Sequence, residues 1–268
     1  MKCIVMNTPQ LQTLLRPRIQ LSRWTAFCCV IALCAATLAT HAQGQPPAAA
    51  SESEGTPADK YREAAVERWE NDIRKLEALD ATQQDQAGSV LYIGSSSIRL
   101  WDTVAEDMAP YPAIKRGYGG ARYTDLAVFA PRLIKPHQFK AMVMFVANDV
   151  TGGGGDTPLD EIERLVRYII GVARNHQPNA ELFIVEVTPT NSRYQAWDKI
   201  RQVNARLREI ALTEDNTHFI PTAEYYLDAE GKPRGEFFRD DQLHLNREGY
   251  RRWSKLIRRR LDDFLVDK

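Results

Sequence analysis

The sequence has 268 residues and lacks cysteine after position 34, because Cys3, Cys28, Cys29 and Cys34 are its only cysteines. The later part of the chain therefore has no disulfide, no thiolate nucleophile and no cysteine-based metal site. An excess of either charge is also missing, since 35 basic residues balance 35 acidic ones. Nucleic-acid-binding proteins normally carry a basic excess, so the charge balance argues against a nucleic-acid partner.

Long hydrophobic runs are missing as well. The most apolar stretch, Ala26 to Ala39, spans about 14 residues, which is short for a membrane span. Residues 1–42 hold four basic and no acidic side chains and end in Thr40-His41-Ala42. This pattern predicts a secretory signal peptide cleaved after Ala42, and hence a secreted or periplasmic protein without stable membrane association after cleavage. An uncleaved anchor is the alternative, because the basic leader is long; a lipoprotein site at Cys34 is disfavoured by the bulky Leu33.

The rest of the chain divides into a spacer and one domain. Residues 43–55, QGQPPAAASESEG, have no apolar period, which predicts a disordered linker. Residues 56–268 form the predicted folded domain. Thr56 and Pro57 are typical of a helix start, and a buried stripe is expected at helical spacing along this N-terminal helix, at Val66, Trp69, Ile73 and Leu76.

Strand and helix patterns alternate along the domain. Apolar runs predict five strands, near Val90–Ile93, Ile114–Tyr118, Ala141–Val146, Glu181–Val187 and Thr217–Ile220. Helical patterns are clearest at Leu159–Arg174, Ala196–Leu212 and Arg247–Leu265. The alternation predicts an α/β fold with a central parallel sheet of about five strands covered on both faces. In such sheets, ligands bind beyond the carboxyl ends of the strands.

Polar and glycine residues cluster where those strands end. Ser95-Ser96-Ser97 follows the first strand, Gly119-Gly120 the second and Asn148-Asp149 the third, and Asp241-Gln242-Leu243-His244 precedes the last helix. A serine becomes a nucleophile when a histidine takes its proton, and a carboxylate orients that histidine. Backbone N–H groups near glycine and an asparagine amide can stabilise an oxyanion. The four clusters together favour one hydrolytic site.

In this order and spacing the clusters resemble the SGNH (GDSL-type) hydrolase superfamily, over about residues 88–260. The resemblance implies a flavodoxin-like three-layer α/β/α sandwich and ester hydrolysis without a metal or cofactor. It places the nucleophile at Ser96 and the acid and base at Asp241 and His244. By the same resemblance, Ser96, Gly120 and Asn148 supply the oxyanion hole.

Two positions depart from the family's blocks. Ser95 stands where the family's first block has aspartate, and Val146 stands where its third block has glycine. Neither change removes a catalytic group, although Val146 alters the shape expected for the oxyanion side of the pocket. Ser95 and Ser97 flank the nucleophile position, and the block alignment favours Ser96.

Other interpretations of these motifs have less support in the sequence. Each cluster alone could be a turn or a helix cap, but one site explains all four together. The glycines after the second strand are no dinucleotide fingerprint, because Arg122 stands at the third glycine position. No Gly-x-Ser-x-Gly elbow is present, which argues against the α/β-hydrolase fold. His137, His176 and His218 are scattered without metal-ligand spacing, so no metal site is expected.

The predicted activity is that of a serine esterase for short-chain acyl or acetyl esters, with O-acetylated carbohydrate as the favoured substrate. Candidate substrate-binding residues follow strand ends: Arg122, Arg193, Tyr194 and Trp197; surface packing is the alternative for each. The expected partner is a small-molecule or polysaccharide ester. Alternatives are a thioesterase or lysophospholipase with the same triad, or a non-catalytic carbohydrate-binding protein on the same fold.

Overall fold

The computed structural model describes residues 55–266. The predicted signal peptide and nearly all of the predicted linker lie outside the described residues, and both stay predictions. Between residues 55 and 266, no helix is both long and apolar enough to span a membrane.

Across residues 55–266 a single five-stranded sheet organises the domain. Its strands are β1 (Val90–Gly94), β2 (Ala113–Gly117), β3 (Ala141–Phe145), β4 (Glu181–Val185) and β5 (Thr217–Ile220). All neighbouring strands are parallel, and their order is β2-β1-β3-β4-β5. This is the flavodoxin-like order, so the predicted α/β fold with a parallel sheet of five strands is confirmed.

Seven α-helices accompany the sheet in the described part of the chain. They are α1 (Arg62–Asp80), α2 (Ser96–Arg99), α3 (Val104–Asp107), α4 (Tyr123–Ile134), α5 (Leu159–His176), α6 (Trp197–Thr213) and α7 (Arg247–Leu265). Four short 3-10 helices complete the fold at Asp59–Tyr61, Asn191–Ala196, Ala223–Tyr226 and Gly235–Phe237.

Alternating strand side chains build a core on each face of the sheet. Along β3, Met142 and Met144 pack with α1, α4, α5 and α6, whereas Ala141, Val143 and Phe145 pack with α2, α3 and α7. All five residues are buried, which explains why the strand reads as a continuous apolar run. The three-layer α/β/α arrangement expected from the family resemblance is therefore confirmed.

The N-terminal helix and α4 differ from the sequence-based expectation. The chain first enters a 3-10 turn at Asp59–Tyr61, so Thr56 and Pro57 precede the helix rather than begin it. Val66 is 38% exposed and lies outside the buried stripe that Trp69 and Ile73 form.

Helix α4 was not predicted, because the segment has no polar face to mark a helical period. A continuous run of its side chains, from Leu126 through Ala130, is buried, and Pro131 lies inside the helix.

The sheet register brings the ends of three strands together. Gly94 lies opposite Gly117 of β2 and Phe145 of β3. Gly94 has φ +133°, and a Cβ at this position would lie 1.9 Å from the Phe145 carbonyl oxygen. Only glycine permits this backbone approach. The residues that follow β1, β2 and β3 therefore meet at one edge of the sheet.

Candidate active site

Ser96, His244 and Asp241 form a hydrogen-bonded chain at the carboxyl edge of the sheet. The Ser96 Oγ lies 3.0 Å from His244 Nε2, and His244 Nδ1 lies 2.6 Å from Asp241 Oδ2. When Nδ1 carries the proton and donates it to Asp241, Nε2 is free to accept the Ser96 hydroxyl. These three residues, separated by up to 148 positions in sequence, are brought together as the sequence motifs predict.

Local backbone structure fixes each of the three side chains. Ser96 is the first residue of α2, and the preceding Ser95 N–H donates to the Phe145 carbonyl across the sheet at 3.0 Å. At the other end, Asp241 Oδ1 accepts the backbone N–H groups of Leu243 and His244, each at 2.9 Å. Gln242 between them has φ +53°, an unusual value for a residue with a side chain. The turn is therefore held in a fixed shape by its own carboxylate.

The environment of Asp241 favours its ionised form. Partial burial opposes ionisation, but the hydrogen bonds from the His244 side chain and from two backbone N–H groups outweigh it and lower the pKa of Asp241 to about 2. Asp241 therefore carries a negative charge at neutral pH, where it can stabilise an imidazolium on His244. The His244 side chain is 22% exposed and that of Asp241 47%, so this end of the site is open to solvent.

Asn148 lies close to Gly120 and shares a cavity with Ser96. The Asn148 Nδ2 donates to the Ala121 carbonyl at 2.9 Å, which ties the end of β3 to the loop after β2. The same nitrogen lies 3.9 Å from the position that a Cβ on Gly120 would take. Asn148 also lines a cavity together with Ser96 and His244. The structure thus brings together all the residues predicted to bind an oxyanion.

Comparison with family models gives one match. Residues 90–252, more than half of the chain, match the model of the GDSL-like Lipase/Acylhydrolase family. The chain belongs to this family. The predicted class of enzyme, a GDSL-type ester hydrolase, is thereby confirmed.

Solved structures of GDSL-type and related esterases share the fold. A GDSL-like lipase from Bacteroides thetaiotaomicron has 18% identity and a TM-score of 0.61, covering 72% of this chain and 98% of that one. A carbohydrate esterase family 3 protein from Talaromyces cellulolyticus has 14% identity and a TM-score of 0.53, covering 68% and 99%. An acetyl xylan esterase has 22% identity and a TM-score of 0.53, covering 63% and 97%. No curated protein matches the chain.

The cavity of this GDSL-family hydrolase is small and partly polar. Its volume is about 30 Å³, and one wall is apolar, with Phe145, Val187 and Ile200. Thr188 and Thr190 form part of another wall. Both threonine hydroxyls are buried without a hydrogen-bond partner among the described residues. Neither residue is among those that the sequence motifs predict for the site, although both lie in the segment after β4, where ligands are expected.

The four residues predicted to bind substrate lie in different environments. Arg193 lines the cavity. Arg122 does not; its Nη1 donates to the Gly155 carbonyl at 2.7 Å. The Tyr194 hydroxyl donates to the Gly231 carbonyl at 2.9 Å, and Trp197 is 9% exposed and packs in the core. Of the four, the structure therefore brings only Arg193 to the cavity.

No metal site is evident in the part of the family domain that the structure describes. Within residues 55–266, no three His, Cys, Asp or Glu side chains are arranged to hold a metal ion. His137 is buried and lies 3.2 Å from Asp85 through Nδ1, which makes it a structural histidine.

Asp149 is a buried carboxyl group that links two segments of the site. Its oxygens accept the Tyr123 backbone N–H, at 3.0 and 3.2 Å, at the start of α4. Burial raises the pKa of Asp149 to about 7, against hydrogen bonds from Tyr123 and Thr157 that favour the ionised form. The residue therefore joins the end of β3 to α4 while resisting ionisation.

Asp149→Asn is expected to stabilise the protein in a pH-dependent way. The pKa of this aspartate is near 4 in the unfolded chain and about 7 in the folded protein. Below pH 4 it is protonated in both states and its ionisation does not affect the free energy of unfolding. Between pH 4 and pH 7 it ionises more readily in the unfolded chain, so the native state becomes less stable as the pH rises. The variant should match the wild type at pH 4 and gain about 2–4 kcal/mol by pH 8. Urea denaturation across this range measures the difference.

The control for this experiment is Asp160→Asn, which removes one negative charge from a side chain that is 94% exposed. A stability difference between Asp149→Asn and the wild type that is the same at pH 4 and pH 8 would contradict the buried-carboxyl interpretation.

Proposed function

We propose that the protein is a serine esterase that uses Ser96, His244 and Asp241 to remove small acyl groups from polar alcohols. The observation that carries this proposal is the pair of short contacts from Ser96 Oγ to His244 and from His244 to Asp241, at 3.0 and 2.6 Å. A neutral imidazole at this distance can take the serine proton as the Oγ attacks an acyl carbonyl.

The reaction then proceeds in two stages. Ser96 Oγ bonds to the carbonyl carbon, its proton moves to His244 Nε2, and the carbonyl oxygen becomes an oxyanion. His244 returns the proton to the departing alkoxide, so that the alcohol leaves and an acyl-Ser96 ester remains. Water, deprotonated by His244, attacks that ester and releases the carboxylic acid with Ser96 restored.

The oxyanion hole proposed for this reaction consists of the Ser96 and Gly120 N–H groups and the Asn148 amide. Ser96 is the first residue of α2, where backbone N–H groups have no helical acceptor. The Asn148 amide lies between this helix and the Gly120 loop, because it contacts Ala121 and lines the cavity with Ser96. Donors fixed before the reaction stabilise the oxyanion without reorganisation.

The size of the cavity supports an acetyl group as the acyl part. A volume of about 30 Å³ accommodates the equivalent of about two water molecules. The solvent-exposed side of the site at His244 and Asp241 suits a hydroxyl-rich alcohol. Two of the structures with the same fold are an acetyl xylan esterase and a carbohydrate esterase, which supports O-acetylated carbohydrate as the substrate class.

The proposal also includes export of the protein from the cytoplasm. The basic and apolar segment in residues 1–42 supports a secreted or periplasmic location, where acetylated polysaccharides are accessible.

The test of this function uses two assays on the purified protein. A fluorophosphonate probe should label the wild-type enzyme, and release of acetate should be measured from acetylated xylan and from other acetylated polysaccharides. Absence of both labelling and ester hydrolysis would refute the catalytic assignment and favour a carbohydrate-binding role. Hydrolysis of thioesters or lysophospholipids in preference to acetyl esters would refute the substrate class while leaving the triad in place.

Acyl-chain length is expected to have a strong effect on the rate. Each added methylene must enter a cavity with little free volume, so kcat/KM for p-nitrophenyl octanoate should be at least about tenfold below that for the acetate. Val187→Ala should enlarge the cavity and shift the preference toward butyrate. Val172→Ala, which is equally conservative and lies in the core outside the cavity lining, is the matched control. Equal rates for acetate and octanoate would contradict the assignment of this cavity to the acyl group.

A further inference from the structure

Arg193 bonds to the backbone and side chain that follow β3. It lies in the 3-10 helix Asn191–Ala196, after β4. Its Nη1 donates to the Ala147 carbonyl, and its Nη2 donates to Asn148 Oδ1 at 2.7 Å. A planar guanidinium that binds two acceptors at once fixes both of them in direction as well as in distance.

These contacts determine which way the Asn148 amide faces. Its Oδ1 accepts from Arg193, and its Nδ2 uses one hydrogen for the Ala121 carbonyl at 2.9 Å. An amide nitrogen has two hydrogens, so one N–H of Nδ2 is left to donate, and Nδ2 lies 3.9 Å from the position that a Cβ on Gly120 would take. A flipped amide would set two donors, Nδ2 and the guanidinium, against each other and would offer an oxygen where an oxyanion has to bind.

The charge of Arg193 adds to this geometric effect. Among residues 55–266, no carboxylate lies within ion-pair distance of its guanidinium. Burial lowers the pKa of Arg193, as does the nearby Arg122, but a guanidinium stays protonated at neutral pH. A cation hydrogen-bonded to Oδ1 polarises the amide and makes its N–H a stronger donor.

We propose that Arg193 is the positioning residue of the oxyanion hole, holding the Asn148 amide with its N–H toward the reacting carbonyl and strengthening that donor. This role rests on the proposed esterase function. It differs from the substrate contact expected for Arg193 from sequence, because both terminal guanidinium nitrogens donate to acceptors of the protein itself.

A double-mutant cycle with p-nitrophenyl acetate tests the role. Arg193→Met should lower kcat by about 10–10²-fold with little change in KM, since the lost donor acts mainly in the transition state. Asn148→Ala alone should lower kcat by about 10²-fold. In the Asn148→Ala background, Arg193→Met should change kcat by less than about threefold, because the residue through which it acts is gone.

Two results of the cycle would overturn the proposal. An equal loss of kcat from Arg193→Met in both backgrounds would show an effect independent of Asn148. A rise in KM at constant kcat would make Arg193 a substrate-binding residue instead. Arg193→Lys, which keeps the charge but not the two-pronged geometry, should recover part of the lost kcat if the protein folds as judged by thermal denaturation.

A second measurement separates this proposal from the proposed function. The side-chain amide signal of Asn148 in a ¹⁵N–¹H correlation spectrum, assigned by its absence in Asn148→Ala, should shift in both Arg193→Met and Arg193→Lys. An unchanged signal would refute the positioning role even in an active enzyme. Conversely, a shifted signal in a protein that hydrolyses no ester would support the contact between Arg193 and Asn148 and would refute the proposed esterase activity.

Discussion

Replacing Ser96 by alanine is expected to lower kcat for p-nitrophenyl acetate by at least about 10⁴-fold. The variant lacks the only atom that can form the acyl-enzyme in the proposed reaction, and it leaves His244 and Asp241 in place. Since the Ser96 side chain is small and partly exposed, folding should be unaffected. Steady-state kinetics and labelling by a fluorophosphonate probe measure the loss, with thermal denaturation as the check on folding.

Ser97 supplies the matched control, because it adjoins Ser96 and also lines the cavity. Its contact with α7 uses the backbone carbonyl, which accepts the Tyr250 hydroxyl at 2.8 Å and is kept in an alanine variant. Ser97→Ala should therefore retain kcat within about threefold, as is usual for substitutions outside the reacting groups. Loss of labelling in Ser97→Ala with retention in Ser96→Ala would move the nucleophile to Ser97.

Gly94→Ala is expected to have the largest effect on stability. The added Cβ would lie 1.9 Å from the Phe145 carbonyl oxygen, and φ +133° is a conformation that alanine strongly disfavours. Relief requires β1 and β3 to separate, which would break the Ser95 N–H bond to Phe145. A loss of more than about 4 kcal/mol is expected, enough to unfold a marginally stable domain at 37 °C. Urea denaturation, or the soluble yield if the variant does not fold, measures this effect.

Gly171→Ala is the control for the glycine substitution. Gly171 lies within α5 with no atom within 4 Å of the position that its Cβ would take. Alanine there should stabilise the protein by about 0.5–1 kcal/mol, because glycine is unfavourable in a helix. A Gly94→Ala protein with a Tm close to that of the wild type would show that the β1–β3 approach tolerates a side chain.

The sequence predicted the sheet well because three of its five strands, β1, β3 and β4, are buried on both faces. A run such as Ala141–Phe145 has no polar residue, so its strand character could be recognised without any tertiary information. Helix α4 could not be recognised in the same way, because its nearly complete burial removes the helical period and Pro131 suggests a break. The prediction that Val66 is buried along α1 is wrong, because the width of the buried face of a helix depends on the elements that pack against it.

The site residues that could be predicted are those that follow the ends of strands or lie close to one another in the sequence. Asp241 and His244 are three residues apart, and Asn148 lies in the segment just after β3. The role of Arg193 could not be predicted, because one of its two acceptors is a backbone carbonyl, and any residue type supplies one. The raised pKa of Asp149 likewise depends on its burial in the folded protein, which a single position in a sequence does not reveal.

The base lies far along the chain from the nucleophile, in the turn just before α7. Ser96 precedes His244 by 148 residues, and α7 anchors beside Ser96 through Tyr250 and the Ser97 carbonyl. A growing chain thus holds its nucleophile and its sheet well before it holds a base, so by the proposed mechanism it cannot hydrolyse esters until the turn with His244 has docked beside Ser96. By this order, the proposed activity begins only once the segment around His244 has folded onto the sheet beside Ser96.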